Sequence, residues 1–508
     1  MKQEGSMRTL MHFATLFAVL LGCSADQVTN LGPDSTDIPA PHSGFFVAVD
    51  GSQTGDGSLA KPWSLPTALA QPGIVQPGDT IWVHGGTYNG PFTSNLAGTA
   101  AAPIVLRQYG RERVVIDGRL NIAGQYAYYW GLEITYSDPR RVSLIADSHP
   151  ADLPRSLVTV SVTGSFNKLI NLLVHDLGNG LFAGRDAEGL EIYGSMFYNN
   201  GWIGPVDRGY GHNVYLQNQN AKKIVADNIL FDSFGMGLHI YGSDVAYLLN
   251  FDIDGNTIFN SGDPAGGNYN VIQMGGGGNL GGTVYRNNSI YRSDGRWESI
   301  ILGFPGSIPG QDIEFSNNIV QGQSWFSNMK KFIVRGNKFT SLETVVGLQM
   351  IPGAEYTSNT FTSNKYAAPA TVNPFQLRLP VTSVYKFTGW QSATGYDATS
   401  SFQAGQFAGA DIIVRPNRYE PGRAFVTCWN WDGASALNVD LSNVLKPGDN
   451  FEIHHVFDIF GTPVLKGTYG GGSVSIPQAT LSPPPPLGYT ASPAMPDNRF
   501  NVFLVRKR

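Results

Sequence analysis

A short pattern recurs through the middle of the chain: Asn or Ser, then apolar residues, then a polar turn that ends in Gly. It is seen at Asn171 to Gly178, Ser195 to Gly201, Asn228 to Gly235, Asn256 to Gly262 and Asn288 to Gly295, with weaker copies at Asn318, Asn337 and Asn359. The copies follow at uneven intervals, from 19 residues (Asn318 to Asn337) to 33 (Ser195 to Asn228). A helical repeat would need a fixed length, whereas a coil of short strands keeps its strands in register while its turns vary. The repeat therefore predicts a solenoid of strands in which the asparagines stack. Asn tolerates unusual backbone angles, and its amide can bond neighbouring turns, so the row reads as structural. The position four residues further on, His175, Asn199, Asp232, Asn260 and Arg292, is predicted to line one turn and to rim a groove.

Three strands inside this region carry a chemical face: His212 to Asn218, Met236 to Gly242 and Asn270 to Gly276. Alternation points Val214, Leu216, Leu238, Ile240, Ile272 and Met274 inward. It leaves Asn213, Tyr215 and Gln217 beside His239 and Tyr241, beside Gln273, on the other face, with His212 at its margin. Parallel neighbours about 4.8 Å apart would make these a plaque of amides, phenols and imidazoles suited to a sugar chain. The segments 201–211 and 261–268 are expected as groove walls, with Trp202 and Arg208 available to a stacked or acidic sugar.

The 61 glycines among 508 residues, 14% charged residues and 12% aromatics fit short strands and tight turns. Net charge is −5, without a dense basic run, which argues against nucleic acid as a partner. Lys2 and Arg8 precede the apolar run Leu10 to Leu21, too short to span a bilayer, and read as an export signal over 1–22. Residues 23–43, rich in Asp, Pro, Ser and Thr, read as a flexible tether. The other cysteine, Cys428, lies in an apolar run and reads as a packing residue.

Two resemblances add to this reading. Leu20-Leu21-Gly22-Cys23 resembles a bacterial lipoprotein box, which implies lipidation of Cys23, an envelope location and membrane contact through that anchor alone. The run from Phe45 through Gly51 and Pro77 to Tyr88, continued by Ala102 to Leu106 and Val114 to Gly118, resembles the opening coils of right-handed parallel β-helix proteins of the pectate-lyase-like superfamily. The fold expected is all-β: a right-handed parallel β-helix over 44–375, then a connector and an antiparallel β-sandwich over 376–508, built from runs such as Ala424 to Trp431 and Phe500 to Val505. The turn Pro416 to Arg423 is expected to tie the sandwich to the coils, and Pro483 to Pro486 to form an extended loop.

What the superfamily resemblance implies is processing of a polysaccharide outside the cytoplasm. Its lyases often pair a Lys or Arg base with calcium held by aspartates, a pattern missing from this plaque. The expectation is therefore β-elimination on an acidic glycan without a cofactor, with His212, His239 and Tyr241 catalytic (His239 or His212 abstracting the proton, Tyr241 protonating the leaving oxygen), and Asn213, Tyr215, Gln217, Gln273, Arg208 and Asp232 binding substrate. Calcium stays open at Asp50 to Gly57, while Asp252 to Asn256 is only a fragment of a calcium loop. Two alternatives stand beside the lyase. A hydrolase would use a carboxylate pair from Asp186, Glu188, Glu191, Asp207, Asp232 and Asp263. A glycan-binding or structural surface protein would use the plaque without chemistry.

Overall fold

The computed structural model describes residues 44–267, 271–305, 308–349, 358–379, 381–490 and 497–508. The expected signal, tether and Cys23 lie outside these residues. The chain winds through three long sheets, one of 14 strands and two of 12, passing from the first to the second to the third in coil after coil, with all strands parallel except the terminal hairpin Phe375–Leu379 and Val381–Tyr385 of the third sheet. This is a parallel β-helix. One coil runs Lys223–Ala226, Ile229–Phe231 and Leu238–Gly242, and the next repeats it with Phe251–Asp254, Thr257–Phe259 and Ile272–Gly276. The coils continue past 375: Phe375–Leu379 joins the third sheet and Ser401–Ala404 the second.

Inside, the period-two pattern fills the core as expected. Val214, Leu238 and Ile272 stack in register, as do Leu216, Ile240 and Met274, and all six are fully buried. One apolar cluster follows this interior from Val47 to Tyr396. At the corner between the first and second sheets, Asn228, Asn256, Asn288, Asn318, Asn337 and Asn364 form a ladder, each Nδ2 donating to the Oδ1 of the next at about 3.0 Å. The ladder corrects the row read from sequence at two places. Leu172, not Asn171, takes the equivalent place, its N–H donating to Ser195 Oγ. Asn171 instead has φ 53° and points to Asn417 and Glu420. Asn359 bonds elsewhere, accepting from the Phe332 N–H and donating to the Met329 carbonyl.

The C-terminal region is an antiparallel sandwich: a five-stranded sheet faces the pair Ala436–Asp440 and Ser473–Pro477. Cys428 is fully buried between them, and burial pushes its thiol up to about 12. The other face of the five-stranded sheet packs Phe425, Trp429, Phe500 and Leu504 onto Phe231, Phe259 and Tyr291 of the second sheet. Arg415 pairs with Asp227 at 2.5 Å and Arg418 with Glu191. The proline loop lies along the corner after the second sheet, where Asn199 Nδ2 donates to the Pro484 carbonyl. The sandwich thus covers the second sheet and leaves the outer face of the third uncovered.

Candidate functional site

On the outer face of the third sheet one side-chain row runs the length of the coils. In register it reads Thr93, Asn121, Ser161, Phe182, Tyr215, His239, Gln273, Ile301, Trp325, Gly347 and Gln376. Tyr215, His239 and Gln273 are therefore neighbours on adjacent coils. Two residues along the same strand, Tyr241 is 41% exposed and its ring stacks on His239 at 5.2 Å. Tyr215 also lies against His239, its ring centroid 4.8 Å away and tilted by 31°. Gln217 donates its amide to the Tyr241 carbonyl.

His212 sits at the corner before its strand and reaches His239. The Met236 N–H donates to His212 Nδ1 at 3.0 Å, and His212 Nε2 lies 3.0 Å from His239 Nδ1. These contacts fix the protons. Because His212 Nδ1 is an acceptor, the one proton of the neutral ring is on Nε2 and is donated to His239 Nδ1. His239 then carries its own proton on Nε2, which has no partner and is flanked by the two phenol rings. A second proton on either ring would set two N–H groups against each other. In line with this, burial pulls His212 down to about 4, and burial together with His212 pulls His239 down to about 2. Near neutrality the pair is uncharged and presents a hydrogen-bond donor. Gly235 makes the arrangement possible, since a Cβ there would lie 2.9 Å from His212 Nδ1.

The other residues singled out in the sequence fall elsewhere. Asn213 precedes its strand, where alternation does not yet hold, and it is fully buried: its Oδ1 accepts from Asn200 and its Nδ2 donates to the Phe231 carbonyl. It is a corner residue, not part of the outer face. Asp232 is also fully buried, with φ 47° and no partner for either carboxyl oxygen. Burial, aided by Asp263, raises its pKa well above the ordinary carboxyl value. Arg208 is exposed on a small ribbon in which Trp202–Gly204 pairs with Arg208–Tyr210. Trp202 is 2% exposed and stacks on Tyr210, so it offers no face to a sugar. Asp252 and Asp254 are held by Arg286. Among the described residues, no three His, Cys, Asp or Glu side chains gather as a metal site.

Further along the row lies a feature the sequence did not suggest. Trp325 lies over Gly347, where a Cβ would be 2.2 Å from the indole, and the exposed Arg378 guanidinium sits 3.9 Å from the indole centroid. Only the register of three coils brings Trp325 and Arg378 together. The row itself carries no carboxylate. Of the acids considered for hydrolysis, Glu191 is bonded to Arg418 and Tyr419, Glu188 to Asn220, and Asp186 is a solvent-facing side chain in a turn.

No known family's sequence profile matches the chain. Pectate lyase PEL9 of Emericella nidulans is 42% identical over 79 residues, 15% of this chain and 18% of that protein. The aligned stretch thus spans less than a fifth of the curated relative it matches. Among solved structures, pectate lyase Pel9A is similar with a TM-score of 0.35 and 16% identity, over 65% of this chain and 78% of that one. A lacto-N-biosidase from Eubacterium ramulus is similar with a TM-score of 0.43 and 12% identity, over 71% of this chain and 67% of that one. By its own strand order the chain is a parallel β-helix protein with an antiparallel C-terminal sandwich, and a short stretch of it is similar in sequence to a pectate lyase.

Proposed function

We propose that the protein is a polysaccharide lyase that cleaves an acidic glycan by β-elimination on the outer face of the third sheet. It works outside the cytoplasm, held to the envelope through Cys23. The observation that carries this reading is the neutral histidine pair, whose free Nε2–H at His239 stands beside amides and phenols on a row without carboxylates. Elimination needs a donor for the charge that develops on the uronate carboxyl group as the C5 proton leaves. His239 Nε2–H and the Gln273 amide supply it once the exposed Tyr241 ring swings aside. The C5–H electrons form the C4–C5 double bond and the C4–O bond breaks. Tyr241, acting as the phenolate, takes the C5 proton and passes that same proton to the departing C4 oxygen, which restores the phenolate. Burial raises the pKa of Tyr215, which keeps its proton and orients the substrate.

This assignment moves the histidines from the part of base, expected from the sequence, to that of donor and positioning group. A base at His239 Nε2 would need a tautomer that the Met236 N–H excludes. Trp325 and Arg378 then hold a uronate further along the chain, about 14 Å away at three strand spacings. Hydrolysis is the weaker reading, because its two carboxylates are not found on the row.

The test is incubation with polygalacturonate, rhamnogalacturonan, alginate and neutral glycans, following the ultraviolet absorbance of an unsaturated uronate together with reducing ends. A rise in both on an acidic polymer supports the lyase. Reducing ends without the chromophore overturn it in favour of hydrolysis, and silence on every polymer with retained binding favours a non-catalytic glycan binder.

A further inference from the structure

The charged contacts across the seam between sandwich and coils are mostly of opposite sign, as at Arg415–Asp227, Arg418–Glu191 and Lys338–Asp411. One patch is different. Arg423 and Arg506 stand directly opposite each other on the antiparallel strands Arg423–Asn430 and Phe500–Lys507. By strand alternation both project with Phe425 and Leu504, on the face turned to the coils. Like charges placed so in a ladder repel. A third guanidinium arrives from the coils: Arg111 donates to the Lys507 carbonyl at 2.7 Å, and its charge acts on both other arginines.

The nearby carboxylates do not balance the three. Glu452, opposite Arg506, is engaged by Arg508 and His454. Glu420 accepts from Asn171 and comes no closer to Arg423 than 3.8 Å. Arg423 is 8% exposed, and its Nε is buried without a partner. At the edge of the patch Arg107, stacked between Trp82 and Trp130, also has a buried Nε without a partner. Leaving cationic donors shielded and unbonded is costly, and guanidinium forks match the oxygens of phosphate and sulfate groups.

We propose that Arg111, Arg423 and Arg506 bind a multiply charged oxyanion, a phosphate or sulfate group, at the seam between the coils and the C-terminal sandwich. More than one uncompensated positive charge favours these groups over a single carboxylate. The anion bonds to arginines from both parts of the chain and so fastens the sandwich to the coils. The source is either a free ion or a sulfate or phosphate ester on a polymer. The site does not depend on the lyase reading.

Thermal unfolding of the whole protein tests it, at ionic strength held constant with sodium chloride. Sodium sulfate, sodium phosphate and dextran sulfate are titrated separately in the millimolar range and below. A melting temperature that rises and saturates is expected, with the half-saturating concentration at least tenfold higher in Arg506→Gln and in Arg111→Gln. Arg111 is partly exposed, so its variant keeps the test readable if Arg506→Gln folds poorly. Saturation with the simple salts identifies a free ion, and saturation with dextran sulfate alone identifies a polymer-borne group. A linear rise, no rise, or a saturable rise unchanged in the two variants overturns the proposal.

Discussion

His175 on the second sheet and the His212–His239 pair on the third are built from the same side chain and meet the same kind of ring. His175 lies flat on Tyr198 at 4.8 Å, as His239 lies on Tyr241 at 5.2 Å. Their charge states are opposite. Burial pulls His175 down, but its bonds to Asp176 (2.8 Å) and Glu133 (3.0 Å), and the charges of both, outweigh it and hold the imidazole at about 9. Glu133 is itself pressed up by burial, yet Arg113 and His175 bring it down to about 2. On the third sheet no carboxylate answers the burial, and both rings stay neutral. Neighbours on adjacent coils, more than exposure, decide whether a histidine of this solenoid is a fixed cation or a donor. The cationic one lies under the C-terminal region, where Phe460 covers Arg113 and the Leu487 N–H bonds Asp176; the neutral pair lies on the open face.

The contrast is broken most severely by Glu133→Ala. It strips His175 and Arg113 of their shared carboxylate and leaves a buried imidazolium with Asp176 alone. A loss of about 3–5 kcal/mol in urea unfolding is expected, with glycan cleavage unchanged in the folded fraction. On the other sheet, His239→Ala is expected to lower kcat about 10²- to 10³-fold, the cost of one donor to a developing oxyanion, with little change in the unfolding midpoint. If His239→Ala keeps full kcat on a proven substrate, the site lies elsewhere.

Stability against pH separates the two sheets by sign. The raised pKa of His175 means that its contribution is complete below 6.5 and is lost as pH rises from 6.5 through about 9. The lowered pKa of His212 means that its contribution is complete above 6.5 and is lost as pH falls from 6.5 through about 4. Each window is worth about 3 kcal/mol, taking 1.36 kcal/mol per pKa unit. Unfolding curves across pH should show the alkaline loss shrinking in His175→Gln and the acid loss shrinking in His212→Gln. Glu133 adds an acid loss below its ordinary 4.5, full in His212→Gln and smaller in His175→Gln, where Arg113 alone holds the carboxyl down. The pH dependence of kcat carries a sharper consequence. With His239 a neutral donor, kcat should show no acid limb near 6.5, and such a limb would restore a histidine base.

The strand interior was legible because burial imposes period two, and Tyr215, His239 and Gln273 became neighbours as soon as Leu238 was aligned with Val214 and Ile272. Period two ends where strands end. Asn213 was misplaced because it sits at the corner, where the backbone turns its amide inward. Asn171 was misplaced by one residue because its left-handed φ throws the side chain out to Asn417. The bond between Glu133 and His175 joins residues 42 apart across a coil enlarged by the 136–153 excursion, and no spacing rule predicts it. The histidine tautomers depend on one backbone N–H at Met236, which has no signature in side-chain type. The arginine patch exists only because the sandwich docks where it does.

The finest test of the contrast is Gly235→Ala, because it leaves both histidines in place and disturbs only how they meet. The added methyl would stand 2.9 Å from His212 Nδ1, 3.2 Å from its Cε1 and 2.3 Å from the Gly211 carbonyl oxygen. Backbone cannot yield as a side-chain tip can, so the strand end must shift, at a cost of about 1–3 kcal/mol. The same shift loosens the Met236 N–H bond that holds His212 Nδ1 as an acceptor. Freed of that bond, His212 can take the other tautomer and accept at Nε2, and His239 then turns its proton inward and bares Nε2. kcat should fall because the donor is lost, and the remaining activity should acquire the acid limb absent from the parent protein. His175 provides the internal control, since the alkaline loss of stability belongs to the other sheet and should stay where it was. A Gly235→Ala protein that loses stability but keeps both kcat and its flat acid profile would show that the Met236 contact does not govern the pair, and the donor role of His239 would lose its physical basis.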